Sequence, residues 1–249
     1  MKVGFKSDTG RRRSNNEDAC FVLLSENIYM VADGVGGGNA GEIASRTTVS
    51  ELANYITNNP IGNATNKYAI VNYFQNCIDK INKKIFDMAT KYEANKGMAT
   101  TLAALYAKDG MAYIANVGDS RVYLYRDNQL VQITEDHTYV NTLVKAGILS
   151  EEEANVDKRK NIITKAVGAD KTVEPDFFQV EVMKGDGFIL CTDGLYDEVS
   201  EAEMKSILEK NLSMSEVCEK LITLANENGG NDNITVISLS VTEEDLNEQ

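Results

Sequence analysis

The chain carries one histidine, His137, in 249 residues, with two prolines, no tryptophan and four cysteines. A single histidine excludes a zinc site built on imidazoles, and a Ser-His-Asp triad would have to use His137 itself. Cys20, Cys77, Cys191 and Cys218 are scattered, and no two have the spacing of a zinc knuckle or a redox pair. Cys20 and Cys191 lie in apolar runs and read as small core residues. Cations are also scarce. Against 38 Asp and Glu there are 25 Lys and Arg, a net charge of −13. That balance lacks the basic face nucleic acid requires and argues against an anionic membrane surface. No apolar run approaches the ~20 residues of a membrane span. Met1 to Gly10 lacks the apolar middle of a signal peptide, so the expected location is the cytoplasm. Neither Pro60 nor Pro175 sits in a linker-like stretch, and no repeat or low-complexity tract occurs. Residues 1–249 are therefore expected to form one domain.

What is present is a pattern of short strands with helices inserted. Phe21–Leu24 and Ile28–Val31, joined by Ser25-Glu26-Asn27, read as a hairpin. Ala40 to Asn58 and Asn66 to Ala94 read as long helices, the second with Ile70, Phe74, Ile78, Ile81 and Ile85 near a 3.6-residue period. Thr101–Ala107 and Met111–Val117 flank Lys108-Asp109-Gly110, a strong hairpin turn. Val122–Tyr125 and Leu130–Ile133 form the next hairpin. Tyr139 to Ala154 is helical with a break at Gly147, and Ser150 before Glu151-Glu152-Glu153 looks like a helix cap. Strands near Phe177–Val182 and Phe188–Cys191 follow, with Asp186-Gly187 between them read as another hairpin turn. Helices at Glu201–Lys210 and Ser215–Glu227 precede a final strand, Asn233–Val241. Meanders of strands with helices inserted in pairs predict an α+β fold, an α/β/β/α sandwich of two antiparallel sheets flanked by helices.

Acidic residues recur where apolar runs stop. Ile28–Ala32 ends at Asp33-Gly34, and Phe188–Thr192 ends at Asp193-Gly194. An aspartate at the end of a buried strand is held rigidly, and the glycine after it lets a backbone carbonyl approach a ligand. Hard cations such as Mg²⁺ and Mn²⁺ favour that combination. Gly229-Gly230-Asn231-Asp232-Asn233, Asn16-Glu17-Asp18 and Gly118-Asp119-Ser120-Arg121 are three further candidates. Glu17 and Asp18 are adjacent at a strand start, so at most one would face a site directly. Each cluster alone could be ordinary turn chemistry. Together, in an acidic chain with one histidine, they suggest an oxygen-only site for two or more divalent ions. Such a site lowers the pKa of a bridging water and delivers hydroxide to phosphorus in line.

Eight motifs, in order, resemble the metal-dependent Ser/Thr protein phosphatases of type 2C in their compact bacterial form. They are Arg13-Ser14-Asn15-Asn16-Glu17-Asp18, Ala32-Asp33-Gly34-Val35-Gly36-Gly37, Ala40-Gly41-Glu42-Ile43-Ala44-Ser45 and Met98-Ala99-Thr100-Thr101-Leu102. The others are Asn116-Val117-Gly118-Asp119-Ser120-Arg121, Thr134-Glu135-Asp136-His137-Thr138, Cys191-Thr192-Asp193-Gly194-Leu195 and Asn231-Asp232-Asn233-Ile234-Thr235. The resemblance implies hydrolysis of phosphoserine and phosphothreonine on proteins by a metal-bridging hydroxide, with two core Mn²⁺ or Mg²⁺ ions and a weaker third. It implies that Asp33 bridges two ions, that the Gly34 carbonyl ligates one, and that Asp193 and Asp232 complete the first. Asp18 and Glu17 would hold bound waters, and Asp119 with Asp193 would form the third site. Arg13 would fork onto the substrate phosphate, a geometry lysine cannot copy. Beside Arg11 and Arg12 it could equally be an ordinary surface arginine. Residues 140–171 would form a flap beside the cleft. The implied partners are phosphoproteins and a cognate Ser/Thr kinase, with no nucleic acid and no membrane insertion, and the protein acting as a monomer.

Two departures stand out. Many bacterial members have histidine where this chain has Gly38, a proposed proton donor to the leaving oxygen. The remaining histidine, His137, is expected to be structural. In the flap, Val156-Asp157 replaces a common His-Pro. Loss of the histidine leaves open an alternative, a catalytically impaired module that keeps the fold for binding or regulation.

Overall fold

The computed structural model describes residues 1–62 and 66–247. Its core is two antiparallel sheets packed face to face. The first contains β1 (Lys2–Asp8), β7 (Arg121–Arg126), β8 (Gln129–Gln132), β10 (Gly187–Cys191) and β11 (Ile234–Ser240), in the order β1-β11-β10-β7-β8. The second runs β2 (Asp18–Leu23), β3 (Ile28–Val35), β5 (Leu102–Lys108), β6 (Met111–Val117) and β9 (Asp176–Glu181), with the short β4 (Ala99–Thr100) on β3. Helices α1 (Ala40–Asn58) and α2 (Lys67–Lys91) cover the second sheet. The first is covered by α6 (Glu201–Leu208) and α7 (Met214–Asn228), with the single turn α5 (Asp193–Tyr196) at its end. The expected α/β/β/α sandwich is the observed fold.

Period-two alternation explains why the strands read as unbroken apolar runs: both faces are buried. In β3, Tyr29 and Val31 enter the core between the sheets, while Ile28, Met30 and Ala32 pack under the helices. In β10, Phe188 and Leu190 point inward, and Ile189 and Cys191 meet the α6–α7 layer. The hairpin of β5 and β6 turns through Asp109 and Gly110 with φ of 50° and 71°. Those left-handed values suit the right-handed twist of its strands. Helix caps follow the sequence signals. Ser150 caps α4 (Glu151–Val156) in a capping box with Glu153, and Ser200–Glu203 and Ser213–Glu216 do the same for α6 and α7.

Two features differ from expectation. β1 lies outside the strands anticipated from sequence, because Lys2, Gly4, Lys6 and Asp8 leave one face of this edge strand without apolar side chains. It is held by the full register of β11 and by Gly4. A Cβ on Gly4 would stand 2.2 Å from the Met214 carbonyl carbon, so α7 rests directly on the strand backbone. The second difference is Asp186-Gly187, which is not a hairpin turn. β9 pairs with β6 in one sheet and β10 pairs with β7 and β11 in the other, so the segment crosses between sheets. The Asp186 carboxylate is buried there, accepting from Arg126 Nη2 at 2.6 Å and from the Met183 N–H at 2.8 Å.

Candidate active site

The fold brings the acidic strand ends to one edge of the sandwich. Asp18 and Asp33 are direct cross-strand partners in the β2–β3 register. The β3 end is anchored by two threonines from the adjacent strands. The Asp33 N–H donates to Thr101 Oγ1 at 2.8 Å, and Thr100 Oγ1 donates to the Asp33 carbonyl at 2.8 Å. Asp193 leads α5 from the other sheet. Its neighbour Thr192 donates to Asp18 Oδ2 at 2.8 Å, which ties the two sheets together at the site. A Cβ on Gly194 would stand 2.0 Å from the Asn233 carbonyl and 3.4 Å from Asp232 Cβ, so the glycine permits the turn to close on Asp232.

The electrostatics report the convergence. Burial pushes Asp33 well above its ordinary range, and Asp18, Asp193, Asp119 and Asp232 all add to the effect. Burial raises Asp18 to about 7 and Asp119 to about 8, the latter helped by Asp193. Asp193 rises to about 6, again mainly by burial, then by Asp232. Carboxyls desolvated beside one another resist ionising together, and protons or cations relieve them. Asp18 Oδ1 and Asp193 Oδ1 are buried with no hydrogen-bond partner among the described residues. Buried acceptors lacking a donor are ready for a hard cation, and an all-oxygen donor set is what Mg²⁺ and Mn²⁺ prefer. Among the described residues, no three His, Cys, Asp or Glu side chains are already gathered as a ligand set. One of the carboxylates, Asp232, is engaged by Arg13.

The rest of the predicted set is nearby. Arg13 is half exposed and donates through Nη2 to Asp232 Oδ2 at 2.6 Å. The Glu17 N–H donates to Asn233 Oδ1 at 2.8 Å, and burial raises the Glu17 carboxyl while Arg13 opposes the rise. Gly34 donates its N–H to the Glu17 carbonyl at 3.2 Å. A Cβ on Gly41 would stand 2.7 Å from the Gly34 carbonyl oxygen, so the bare helix start leaves that oxygen uncovered by a side chain. Gly38 has φ +64° and open space around the position of a Cβ. His137 is buried, with Asp176 Oδ2 3.1 Å from its Nε2, as a structural histidine would be.

Asn233 was not singled out from sequence. Besides Glu17, its Nδ2 donates to the Thr9 and Asn15 carbonyls at 2.8 and 2.9 Å, pinning the loop that carries Arg13. The signals for it are its place inside the Gly229–Asn233 cluster and in the Asn231-Asp232-Asn233-Ile234-Thr235 motif. Between the flap and the body lies a cleft of about 850 Å³, lined by Asp119, Tyr196 and Asp197 on one side and Val140, Lys145 and Glu151 on the other. The flap helices are α3 (Tyr139–Lys145) and α4. Within its basic run, Arg159 pairs with Asp157, and Lys160 reaches Asp197 at 2.8 Å.

Residues 9–232 match the family model described as protein phosphatase 2C. The chain belongs to the protein phosphatase 2C family. It is 39% identical over 240 residues to the serine/threonine phosphatase stp of Listeria innocua, spanning 95% of this chain and 94% of that one. A solved serine/threonine phosphatase of S. agalactiae superposes with a TM-score of 0.89 at 35% identity, covering 96% of this chain and 99% of the other. The catalytic domain of the serine/threonine phosphatase PstP, solved with two manganese ions, has a TM-score of 0.85 at 33% identity, over 97% and 98% of the two chains.

Proposed function

We propose that this protein removes phosphate from phosphoserine and phosphothreonine of other proteins, using divalent cations held by Asp18, Asp33, Asp119, Asp193, Asp232 and the Gly34 carbonyl. The observation that carries the reading is the convergence of buried carboxylates from both sheets, two of them with unpartnered oxygens, beside the Arg13 guanidinium. Mn²⁺ or Mg²⁺ bound there supplies Lewis acidity, neutralising phosphate charge and acidifying water. The chain's own residues do the rest. Asp33, at the β3 end, would hold more than one ion, a reading supported by its interaction with carboxyls from β2, α5 and the β6–β7 and α7–β11 connections. Glu17 stands at the rim, where it orients water. Arg13 commits one terminal nitrogen to Asp232 and keeps other N–H donors for a phosphate fork. Both ring nitrogens of His137 are occupied, so it is not free to protonate the leaving seryl oxygen. That proton comes from water.

Residues 1–249 act as one phosphatase domain in this reading, working as a monomer in the cytoplasm on a cognate Ser/Thr kinase and its substrates. Among the described residues no helix is long and apolar enough to cross a membrane. A silent binding module is disfavoured, because every acidic residue of the family pattern is kept. The test is hydrolysis of p-nitrophenyl phosphate and of a phosphothreonine peptide with Mn²⁺. Activity should vanish with EDTA and fall at least ~10²-fold in Asp193→Asn, as for loss of one transition-state contact. Activity that survives chelation would refute the assignment.

A further inference from the structure

The function above leaves the Asp136-His137 pair unexplained. His137 is 7% exposed and uses its whole ring. Nδ1 accepts from the Gly118 N–H at 3.0 Å, and Nε2 faces Asp176 Oδ2 at 3.1 Å. An accepting Nδ1 places the proton on Nε2, and the Asp176 carboxylate fixes that tautomer. The His137 N–H also donates to the Gly118 carbonyl at 3.0 Å, so one residue grips both polar groups of Gly118. Gly118 has φ +99°, and a Cβ there would meet Thr101 Cγ2 at 2.6 Å.

The peptide after Asp119 is held from the other side. Tyr196 Oη donates to the Asp119 carbonyl at 3.0 Å. The Arg121 guanidinium lies 3.5 Å from the centroid of the Tyr196 ring. Arg121 in turn forks onto Asp136, with Nε to Oδ1 at 3.0 Å and Nη2 to Oδ2 at 2.6 Å. Tyr196 belongs to the same helical turn as Asp193. Two adjacent residues therefore brace Asp119 from before and after, and the second brace runs through the turn that carries Asp193.

We propose that Asp136 and His137 are positioning residues that hold Asp119 against Asp193, through Gly118 and through Arg121 and Tyr196, and so set how tightly this carboxylate pair takes a divalent cation. The inference rests on the reading of Asp119 and Asp193 as cation ligands. Its physical basis is that a ligating carboxylate is only as good as its placement. Loss of outer partners typically weakens metal affinity roughly 10–100-fold.

The test is a Mn²⁺ titration of the full chain by calorimetry, with circular dichroism and metal-free melting to establish that each variant folds. Asn places an acceptor where His137 has Nδ1, whereas Gln reaches the Nε2 position. His137→Asn should therefore keep the weakest Mn²⁺ association near wild type, and His137→Gln should weaken it roughly 10–100-fold. Tyr196→Phe keeps the ring under Arg121 and removes the hydroxyl, so it should shift in the same direction as His137→Gln. Asp119→Asn is the control for the underlying reading. If Asp119→Asn weakens binding while His137→Gln and Tyr196→Phe do not, the bracing role is overturned and the ligand assignment stands. If Asp119→Asn has no effect, the ligand assignment falls and the bracing role with it. Equal losses in His137→Asn and His137→Gln would make His137 a packing residue and overturn its part.

Discussion

At the scale of single residues, the site is defined as much by a missing side chain as by those present. Gly38 occupies the position where the resembled family often has histidine. Its φ of +64° is left-handed, a region in which His, Asn and Asp are the better tolerated non-glycine residues. A Cβ there meets nothing within 4 Å. Histidine can therefore be installed at a backbone cost of about 1–2 kcal/mol. A nitrophenolate leaves readily without a proton, whereas a seryl alkoxide does not. Gly38→His should then raise kcat/KM on a phosphoserine peptide by roughly 10²-fold, the low end of general acid catalysis, and change aryl phosphate hydrolysis little. The ratio of the two rates is the measurement. An unchanged ratio in a folded variant would mean that this loop does not face the leaving group. The acidic positions were legible because each apolar run stops abruptly at Asp-Gly, as at Asp33 and Asp193. The duties of His137 and Asn233 were not. Their partners, Gly118 and Thr9, are 19 and 224 residues distant, and nothing in the local pattern marks such contacts.

At the scale of elements, β1 shows where local pattern runs out. Strands buried on both faces declare themselves as apolar runs, as in β3 and β10. An edge strand with Lys2, Lys6 and Asp8 does not, since its order comes from β11 and α7. Asp186 failed for a related reason: Asp-Gly between two strands looks the same whether the strands pair or part into different sheets. The contact of Gly4 with α7 leads to a direct prediction. A methyl at 2.2 Å from the Met214 carbonyl carbon cannot be accommodated by a side-chain rotation, because the obstacle is backbone. Gly4→Ala should lower unfolding stability by about 1–3 kcal/mol, the usual range for overpacking, read as a lower denaturant midpoint. β1 leads into the loop that carries Arg13, so KM should rise as well. Wild-type stability in Gly4→Ala would show that α7 slides off the strand at no cost.

At the scale of the whole molecule, the carboxyl cluster joining the two sheets governs how stability depends on pH. Asp18, Asp193 and Asp119 sit near 7, 6 and 8, and Asp33 is well above its ordinary range, against an ordinary value of 3.8. Without cations the folded protein therefore holds more protons than the unfolded chain between about pH 4 and 8. Stability contributed by these groups is complete below the ordinary value and is lost as pH rises through the folded values. His137 opposes this, since burial lowers its pKa, but it is one group against four. The EDTA-treated protein should thus melt at a lower temperature near pH 8 than near pH 5. Cations displace those protons, so binding releases them and becomes stronger as pH rises. Saturating Mn²⁺ should raise Tm more near pH 8 than near pH 5 and flatten the pH profile. Scanning calorimetry with and without Mn²⁺ at the two pH values reads both effects. A metal-free Tm that climbs from pH 5 to pH 8 would mean that the carboxylates ionise freely in the fold, and that the strand ends do not form one desolvated cluster.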